Sequence, residues 1–283
     1  MKRGLVMEGG AMRGMFTCGV TDVLMEQGVT FDGAAGISAG AVFGCNVKSR
    51  QIGRAIRYNK RYCTDPRYCS VRSLLTTGNL YGADFCYREL PEKLDLFDWE
   101  AFRDNPMEFY VGATDIRTGG AMFHRCFDGR GRDIEWMRAS ASMPLVSRPV
   151  RVDGHELLDG GIVVSAPYRF MEAVGYDRNV IVMTRPRGYR KKESAKAPWL
   201  RLTLHRYPRL VEAMEQRSLR YNQQMDEIDE REDSGRSLVI RPPEPLGIGR
   251  TEKDPDQLER VYQIGRAEGL RRLEEIRRFL SES

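Results

Sequence analysis

The sequence predicts an α/β fold around a parallel sheet, followed by a smaller, mostly helical C-terminal region. Three observations carry this. Strand, glycine loop and helix are followed by strand, turn and helix within the first 48 residues. Short apolar runs with strand character recur further along. Two long helical patterns dominate the chain after residue 200. The 283 residues allow one large domain, or one of about 200 residues with an appendage. A hydrophobic content of 41% supports a sizeable core.

Arg3–Met7 reads as a buried strand leading into Glu8-Gly9-Gly10-Ala11-Met12-Arg13-Gly14. An amphipathic helix is expected from Arg13 to Gln27, with Gly28 placed to end it in a left-handed turn. Gly33–Gly36 is short and small, the end of a second strand that turns at Ser38 into a helix running from Ala39 towards Lys48. Later strands are expected at Glu108–Ala113 and Asn179–Thr184, with a more exposed one at Ala121–Cys126. Arg185–Lys196 holds six basic residues and one acid, with Pro186, Gly188 and Pro198 breaking structure around it. It reads as a solvated linker, so the division falls at 1–190 and 191–283, with the boundary soft over residues 190–200. Beyond it, helices are expected at Pro208–Asp229 and Asp256–Ser281, separated by a strand, Ser237–Arg241, and a proline-rich turn, Pro242–Pro245. The last helix carries Leu258, Val261, Tyr262, Leu270, Leu273, Ile276 and Leu280 largely on one side.

Composition removes several function classes. With 45 basic and 40 acidic residues, the net charge of +5 is too mild for a nucleic-acid binder, although it permits an anionic surface as partner. Apolar runs fall short of the ~20 residues that span a bilayer. Met1-Lys2-Arg3 leads straight into the first strand, with no secretory start, so a cytoplasmic protein is expected. Cys18, Cys45, Cys63, Cys69, Cys86 and Cys126 follow no zinc spacing and read as reduced thiols, and no metal or cofactor is implied.

Three short motifs carry chemistry. Gly36-Ile37-Ser38-Ala39-Gly40 is a G-x-S-x-G, in which a serine occupies a sharp strand-to-helix turn. The flanking Gly36 and Gly40 avoid collisions with neighbouring backbone, and the following helix aims its positive end at the serine. The small residues Gly9-Gly10-Ala11 leave backbone N–H groups able to converge on an anion. A nucleotide phosphate is the rival ligand, but neither G-x-G-x-x-G nor a P-loop lysine is present. Asp159-Gly160-Gly161 follows the apolar pair Leu157-Leu158 and presents a carboxylate at a strand end. In isolation, a plain Asp-Gly turn is the favoured reading. A serine nucleophile needs a base, and the histidines are only His124, His155 and His205. None has a recognisable catalytic context, although His155 lies four residues before Asp159.

Taken together and in this order, the motifs resemble those of the patatin-like phospholipases: Gly9-Gly10-Ala11-Met12-Arg13-Gly14, Gly36-Ile37-Ser38-Ala39-Gly40 and Asp159-Gly160-Gly161. Ser140-Ala141-Ser142-Met143-Pro144 is similar to the stretch that precedes the aspartate in that family. The resemblance covers roughly residues 3–185. Gly78-Asn79-Leu80-Tyr81-Gly82 and the region after residue 200 fit a bacterial subgroup with a C-terminal helical extension. The resemblance implies a three-layer α/β/α fold and a Ser38–Asp159 dyad in place of a triad. It also implies an oxyanion hole from Gly9, Gly10, Ala11 and Met12. Arg13 is expected to secure that loop by pairing with nearby backbone or a carboxylate, and Gly14, Gly160 and Gly161 to support it. The departure is Ala11, where the family has glycine. Its methyl group excludes positive φ unless strain is accepted.

The implied substrate is a lipid or other acyl ester, cleaved without a cofactor. Peripheral contact with the inner membrane face is compatible with this, through the basic loop or the last helix, although the helix's mixed charges favour packing. Two other classes stay open at this point: a non-catalytic lipid-binding or regulatory protein, and an acyltransferase using the same acyl-enzyme.

Overall fold

The computed structural model describes residues 1–192 and 198–281. Its strands are β1 (Lys2–Met7), β2 (Gly33–Ile37), β3 (Glu108–Asp115), β4 (Ala121–Cys126), β5 (Val150–Val152), β6 (His155–Asp159), β7 (Tyr176–Val182) and β8 (Ser237–Ile240). The helices of the first half are α1 (Gly14–Glu26), α2 (Ala39–Lys48), α3 (Arg54–Tyr62), α4 (Val71–Thr77), α5 (Trp99–Asp104) and α6 (Arg132–Ser140). The second half carries α7 (Tyr168–Ala173), α8 (Pro198–Thr203), α9 (Pro208–Glu215), α10 (Arg217–Asp233), α11 (Pro255–Arg271) and α12 (Leu273–Ser281).

All eight strands join one sheet, with the pairing order β5-β6-β3-β2-β1-β7-β8 and β4 also on β3. The β3-β2-β1-β7-β8 part is parallel, and β4, β5 and β6 are antiparallel additions. Because side chains alternate across a strand, neighbouring residues feed two different cores. Leu5 and Met7 of β1 join one apolar cluster and Val6 the other; Ala34 and Ala35 of β2, and Leu238 and Val239 of β8, divide in the same way. The first cluster is covered by Phe16 of α1, Phe43 of α2 and Leu258 of α11. The second is covered by Met171 of α7 and Met225 of α10. The fold is therefore a mainly parallel sheet between two helical layers.

Strand pairing around β3 positions the site. β4 pairs with Phe109–Thr114, so it occupies one edge of β3 along nearly its whole length. β2 on Glu108–Gly112 and β6 on Ala113–Asp115 overlap that range, so both lie on the opposite edge, end to end. Ile37 pairs with Gly112 and Asp159 pairs with Ala113. The residue after Ile37 thus emerges beside Asp159, although 121 residues separate the two.

The C-terminal region contributes to both the sheet and its cover. β8 pairs in parallel with β7, and α11 crosses α1 so closely that a Cβ on Gly265 would lie 2.0 Å from the Phe16 carbonyl oxygen. A Cβ on Gly19 would lie 2.1 Å from the Tyr262 carbonyl oxygen.

Several expectations are adjusted. Gly28 does take φ +67° at the end of α1. The expected strand Asn179–Thr184 runs instead from Tyr176 to Val182, which leaves Thr184 to serve the site. Each expected C-terminal helix is two helices, α9 with α10 and α11 with α12, divided at Gln216 and Arg272. Leu270 is 52% exposed rather than part of the apolar stripe. Eight residues beyond Tyr262 is about 80° of helical rotation away from it, and Gly265, Glu268 and Gly269 occupy the buried face. The strand end expected at Leu157-Leu158 before Asp159 is the end of β6, whereas its start and the helices between residues 54 and 104 had no clear signal in the sequence.

Candidate active site

Ser38 sits between β2 and α2 with φ +53° and ψ −119°, a conformation that a non-glycine residue adopts only under strain. The flanking glycines make the turn possible. A Cβ on Gly36 would lie 2.2 Å from the Gly40 carbonyl oxygen, and one on Gly40 would lie 2.3 Å from that of Met7. Neither backbone can retreat. The Ser38 N–H donates to Ser140 Oγ (2.8 Å), whose own hydroxyl donates to the Gly112 carbonyl (2.6 Å). Ser140, at the end of α6, therefore ties the turn to β3.

The Ser38 hydroxyl donates to Asp159 Oδ2 at 2.7 Å. Asp159 Oδ1 accepts the Gly161 N–H at 2.7 Å, while its backbone is held by Ser142 and Thr114. Burial pushes its carboxyl above the ordinary range, and it outweighs the opposing effects of the Ser38 hydroxyl, Arg217, the Gly161 N–H and Lys191. A carboxylate so placed is a stronger base than one in water, and its acceptor oxygen is already on the serine proton.

The glycine loop runs alongside. Ala11 does take positive φ, +49°, so the strain its methyl group implied is present. The N–H groups of Gly10, Ala11 and Met12 make no hydrogen bond among the described residues. Gly9 differs from expectation: its N–H donates to the Ser165 carbonyl at 3.0 Å and is not available to an incoming anion. Arg13 also departs from expectation. It pairs with neither backbone nor carboxylate among the described residues, and its Nε is buried without a partner. Burial and the charge of Arg185 lower its pKa. The loop is instead anchored by the buried Glu8. Its Oε2 accepts the N–H (2.6 Å) and hydroxyl (2.8 Å) of Thr184, and its Oε1 accepts the Tyr221 hydroxyl (3.1 Å).

The histidines serve other partners. His155 Nδ1 lies 2.9 Å from Asp115 Oδ2, and His205 Nδ1 lies 3.0 Å from the Leu202 carbonyl. His124 Nε2 lies 2.7 Å from Asp133 Oδ1. His124, Cys126 and Asp133 bring three potential metal-ligating atoms together, but Asp133 Oδ2 also receives the N–H groups of Phe127, Asp128 and Gly129. This cluster reads as a hydrogen-bonded knot that joins β4 to α6.

Two cavities meet at Ser38. One, of about 140 Å³, is apolar and is bounded by Val42, Phe43, Tyr87, Leu90 and Met137. The other, of about 460 Å³, is polar and is bounded by Arg13, Arg185, Lys191, Arg217 and Tyr221 as well as Asp159. Ala11, Ser38 and Met143 line both. The described part of the Arg185–Lys196 segment, through Lys192, therefore borders the site and is no bare linker; residues 193–196 lie outside the described residues. Sequence reasoning did not find Lys191, Arg217, Tyr221 or Thr184 as site residues. Only Glu8, ahead of the glycines, carried a signal.

The chain is similar to several known proteins. The profile of the patatin-like phospholipases matches residues 5–171, and that of a domain of unknown function (DUF6363) matches residues 207–281. The lysophospholipase nte1 of Aspergillus oryzae is 27% identical over 97% of this chain and 18% of its own length. The uncharacterized protein YjjU of Escherichia coli K12 is 31% identical over 64% of this chain and 52% of its own. This chain thus spans less than a fifth of the Aspergillus protein and about half of YjjU. Among solved structures, VipD from Legionella pneumophila aligns with a TM-score of 0.43 at 12% identity, covering 97% of this chain and 67% of that one. The chain belongs to the patatin-like phospholipase family.

Proposed function

We propose that this member of the patatin-like phospholipase family is a serine acyl hydrolase that cleaves carboxylic esters of lipids. The observation that carries the reading is the 2.7 Å hydrogen bond from Ser38 to the buried Asp159, at the mouth of an apolar cavity. Ser38 Oγ attacks the ester carbonyl as Asp159 Oδ2 takes its proton. The oxyanion is held by the N–H groups of Gly10, Ala11 and Met12. The intermediate collapses as the proton passes from Asp159 to the leaving alcohol, which leaves an acyl-serine. Water then attacks that ester, again giving its proton to Asp159, and the carboxylic acid departs as the Ser38 hydroxyl is restored.

The apolar cavity suits the acyl chain, since each methylene withdrawn from water contributes ~0.8 kcal/mol. Similarity to the Aspergillus lysophospholipases supports a lipid ester. Six unbridged cysteines support work in a reducing cytoplasm. No helix among the described residues is long and apolar enough to cross a membrane. Contact with lipid is peripheral, and the exposed Val71 and Leu75 of α4 and Trp199 and Leu202 of α8 offer apolar side chains for it.

The test is hydrolysis of p-nitrophenyl butyrate by the purified protein beside Ser38→Ala and Asp159→Asn. Each substitution is expected to remove at least ~10³-fold of the turnover. Turnover that survives Ser38→Ala would sink the reading. Transfer of the acyl group to added glycerol in preference to water would move it to acyl transfer.

A further inference from the structure

The polar cavity holds more positive charge than its surroundings neutralise. Arg13, Arg185, Lys191, Arg217 and Arg250 all border it, and among the described residues none forms an ion pair with a carboxylate. Elsewhere on the surface arginines are routinely paired: Arg190, at the same cavity, is committed to Asp226 and Asp229, and neighbouring Arg187 to Glu232 and Asp233. The two carboxylates inside are both engaged, Glu8 by Thr184 and Tyr221 and Asp159 by Ser38 and Gly161.

The cations rest on neutral partners. Lys191 Nζ lies 3.6 Å from the Tyr221 ring centroid, the Arg185 guanidinium 4.4 Å from that of Tyr189, and Arg217 Nε donates to the Gly161 carbonyl at 2.8 Å. Arg13 Nε has no hydrogen-bond partner among the described residues. Half-buried cations without counter-ions are unfavourable. Burial, reinforced by Arg217, Arg13 and Arg250, pushes the Lys191 ammonium down to about 7. Burial likewise lowers Arg13 and Arg217, reinforced by Arg185 and Arg250 around the first and by Arg250 around the second. A bound anion would relieve all of them at once.

The position of the cavity says which anion. It shares Ala11, Ser38 and Met143 with the apolar cavity, so one molecule can lay its acyl chain in the apolar side and its ester at Ser38. Whatever the ester carries next then enters the cationic side. In a glycerophospholipid that group is a phosphate a few bonds from the ester. A choline would set a further cation among five.

We propose that the cationic cavity is a head-group site, selecting glycerophospholipid esters whose head group carries net negative charge over zwitterionic or neutral ones. The inference rests on the ester-hydrolase reading above. Arg185, Lys191, Arg217 and Arg250 lie beyond residue 171 and Arg13 within the matched span, so most of the head-group charge comes from chain outside the span that matches the phospholipase profile.

The experiment compares kcat/KM for lysophosphatidylglycerol, lysophosphatidylcholine and monoacylglycerol of one acyl chain, each below its micellar concentration. The full chain is expected to favour lysophosphatidylglycerol by about tenfold or more, the size of one charge-assisted contact. Salt should weaken that preference. Lys191→Gln and Arg185→Gln are expected to erode the ratio, and Lys191→Arg to keep it. Equal rates on all three lipids would overturn the head-group site and leave the hydrolase reading standing. If no ester is turned over, the hydrolase reading falls, and calorimetry on Ser38→Ala with lysophosphatidylglycerol and with inorganic phosphate decides about the site. Binding of the lipid that Lys191→Gln weakens supports it; binding of phosphate with no added affinity for the lipid overturns it in favour of a free-phosphate site.

Discussion

Two buried aspartates, Asp159 in the active site and Asp22 in the seam between α1 and α11, share one electrostatic property and little else. Burial raises both carboxyls, Asp22 to about 6. Asp22 is held by neutral donors: its Oδ2 accepts the Tyr262 hydroxyl (2.8 Å) and the Gly53 N–H (3.0 Å), and the two helix backbones touch at Gly19 and Gly265. Around Asp159 the structure is strained and undercompensated, with Ser38 and Ala11 at positive φ and several cations lacking counter-ions among the described residues. A raised carboxyl therefore does not identify a catalytic base. What sets Asp159 apart, and supports its proposed role as base, is the serine hydroxyl on its oxygen, the cavity beside it and the strained turns around it.

The largest separation of the two regions is in activity and its pH dependence. Asp159→Asn should abolish turnover, whereas Asp22→Asn should change kcat/KM little. As the proposed base Asp159 acts unprotonated, so kcat/KM should rise with pH along a limb above the ordinary carboxylate value of ~3.9. A limb at or below that value would break the claim that burial dominates at Asp159. Because its folded-state pKa is raised, its stabilising contribution is lost as pH rises through that value. Asp159→Asn should therefore melt no lower than wild type at pH 7.5, and a clear loss of stability would make the aspartate a scaffold residue like those of the seam.

The seam should answer to volume. Gly265→Ala places a methyl against the Phe16 carbonyl, a backbone atom that cannot step aside. Overpacking of this kind is expected to lower stability by ~1–3 kcal/mol, read as the urea midpoint. No loss would mean that α11 does not hold α1 at this distance.

A smaller effect separates the carboxyls by linkage. Asp22 binds its proton more tightly folded than unfolded, so its contribution is fully present below pH ~3.9 and fades as pH rises through about 6. Asp22→Asn keeps an acceptor for Tyr262 and Gly53, and should gain on the order of 2 kcal/mol at pH 7.5 with little gain at pH 4. Equal gains at both pH values would rule out the titration.

The smallest effect lies in the glycine loop. A left-handed conformation costs alanine ~1–2 kcal/mol, and glycine returns ~0.4–1 of it as unfolded-chain entropy. Ala11→Gly should therefore stabilise the protein by roughly 0.5–1 kcal/mol. A loss instead would show that the methyl group packs for more than its strain.

Legibility in the sequence followed the range of the forces. The β1–loop–α1 and β2–turn–α2 units were readable because small residues at Gly9, Gly10, Gly36 and Gly40 answer to sterics within a few residues of chain or at one crossing. Of strand β6 only the end at Leu157-Leu158 was, since Glu156 and His155 break its apolar pattern and its pairing with β3 is non-local. Arg217 and Lys191 look like any surface cations, and Arg13 was expected to pair locally but has no partner among the described residues.

By itself, then, the sequence determined the parallel α/β class, the two glycine-dependent turns and the serine and aspartate worth watching, because turn geometry and apolar periodicity are written locally. Only the tertiary structure decided that β6 continues the β3 edge where β2 stops, bringing Asp159 to Ser38, and that a C-terminal helix and loop gather cations on one side of them. Contacts between residues more than a hundred positions apart depend on which edges and faces meet, and no local pattern encodes that.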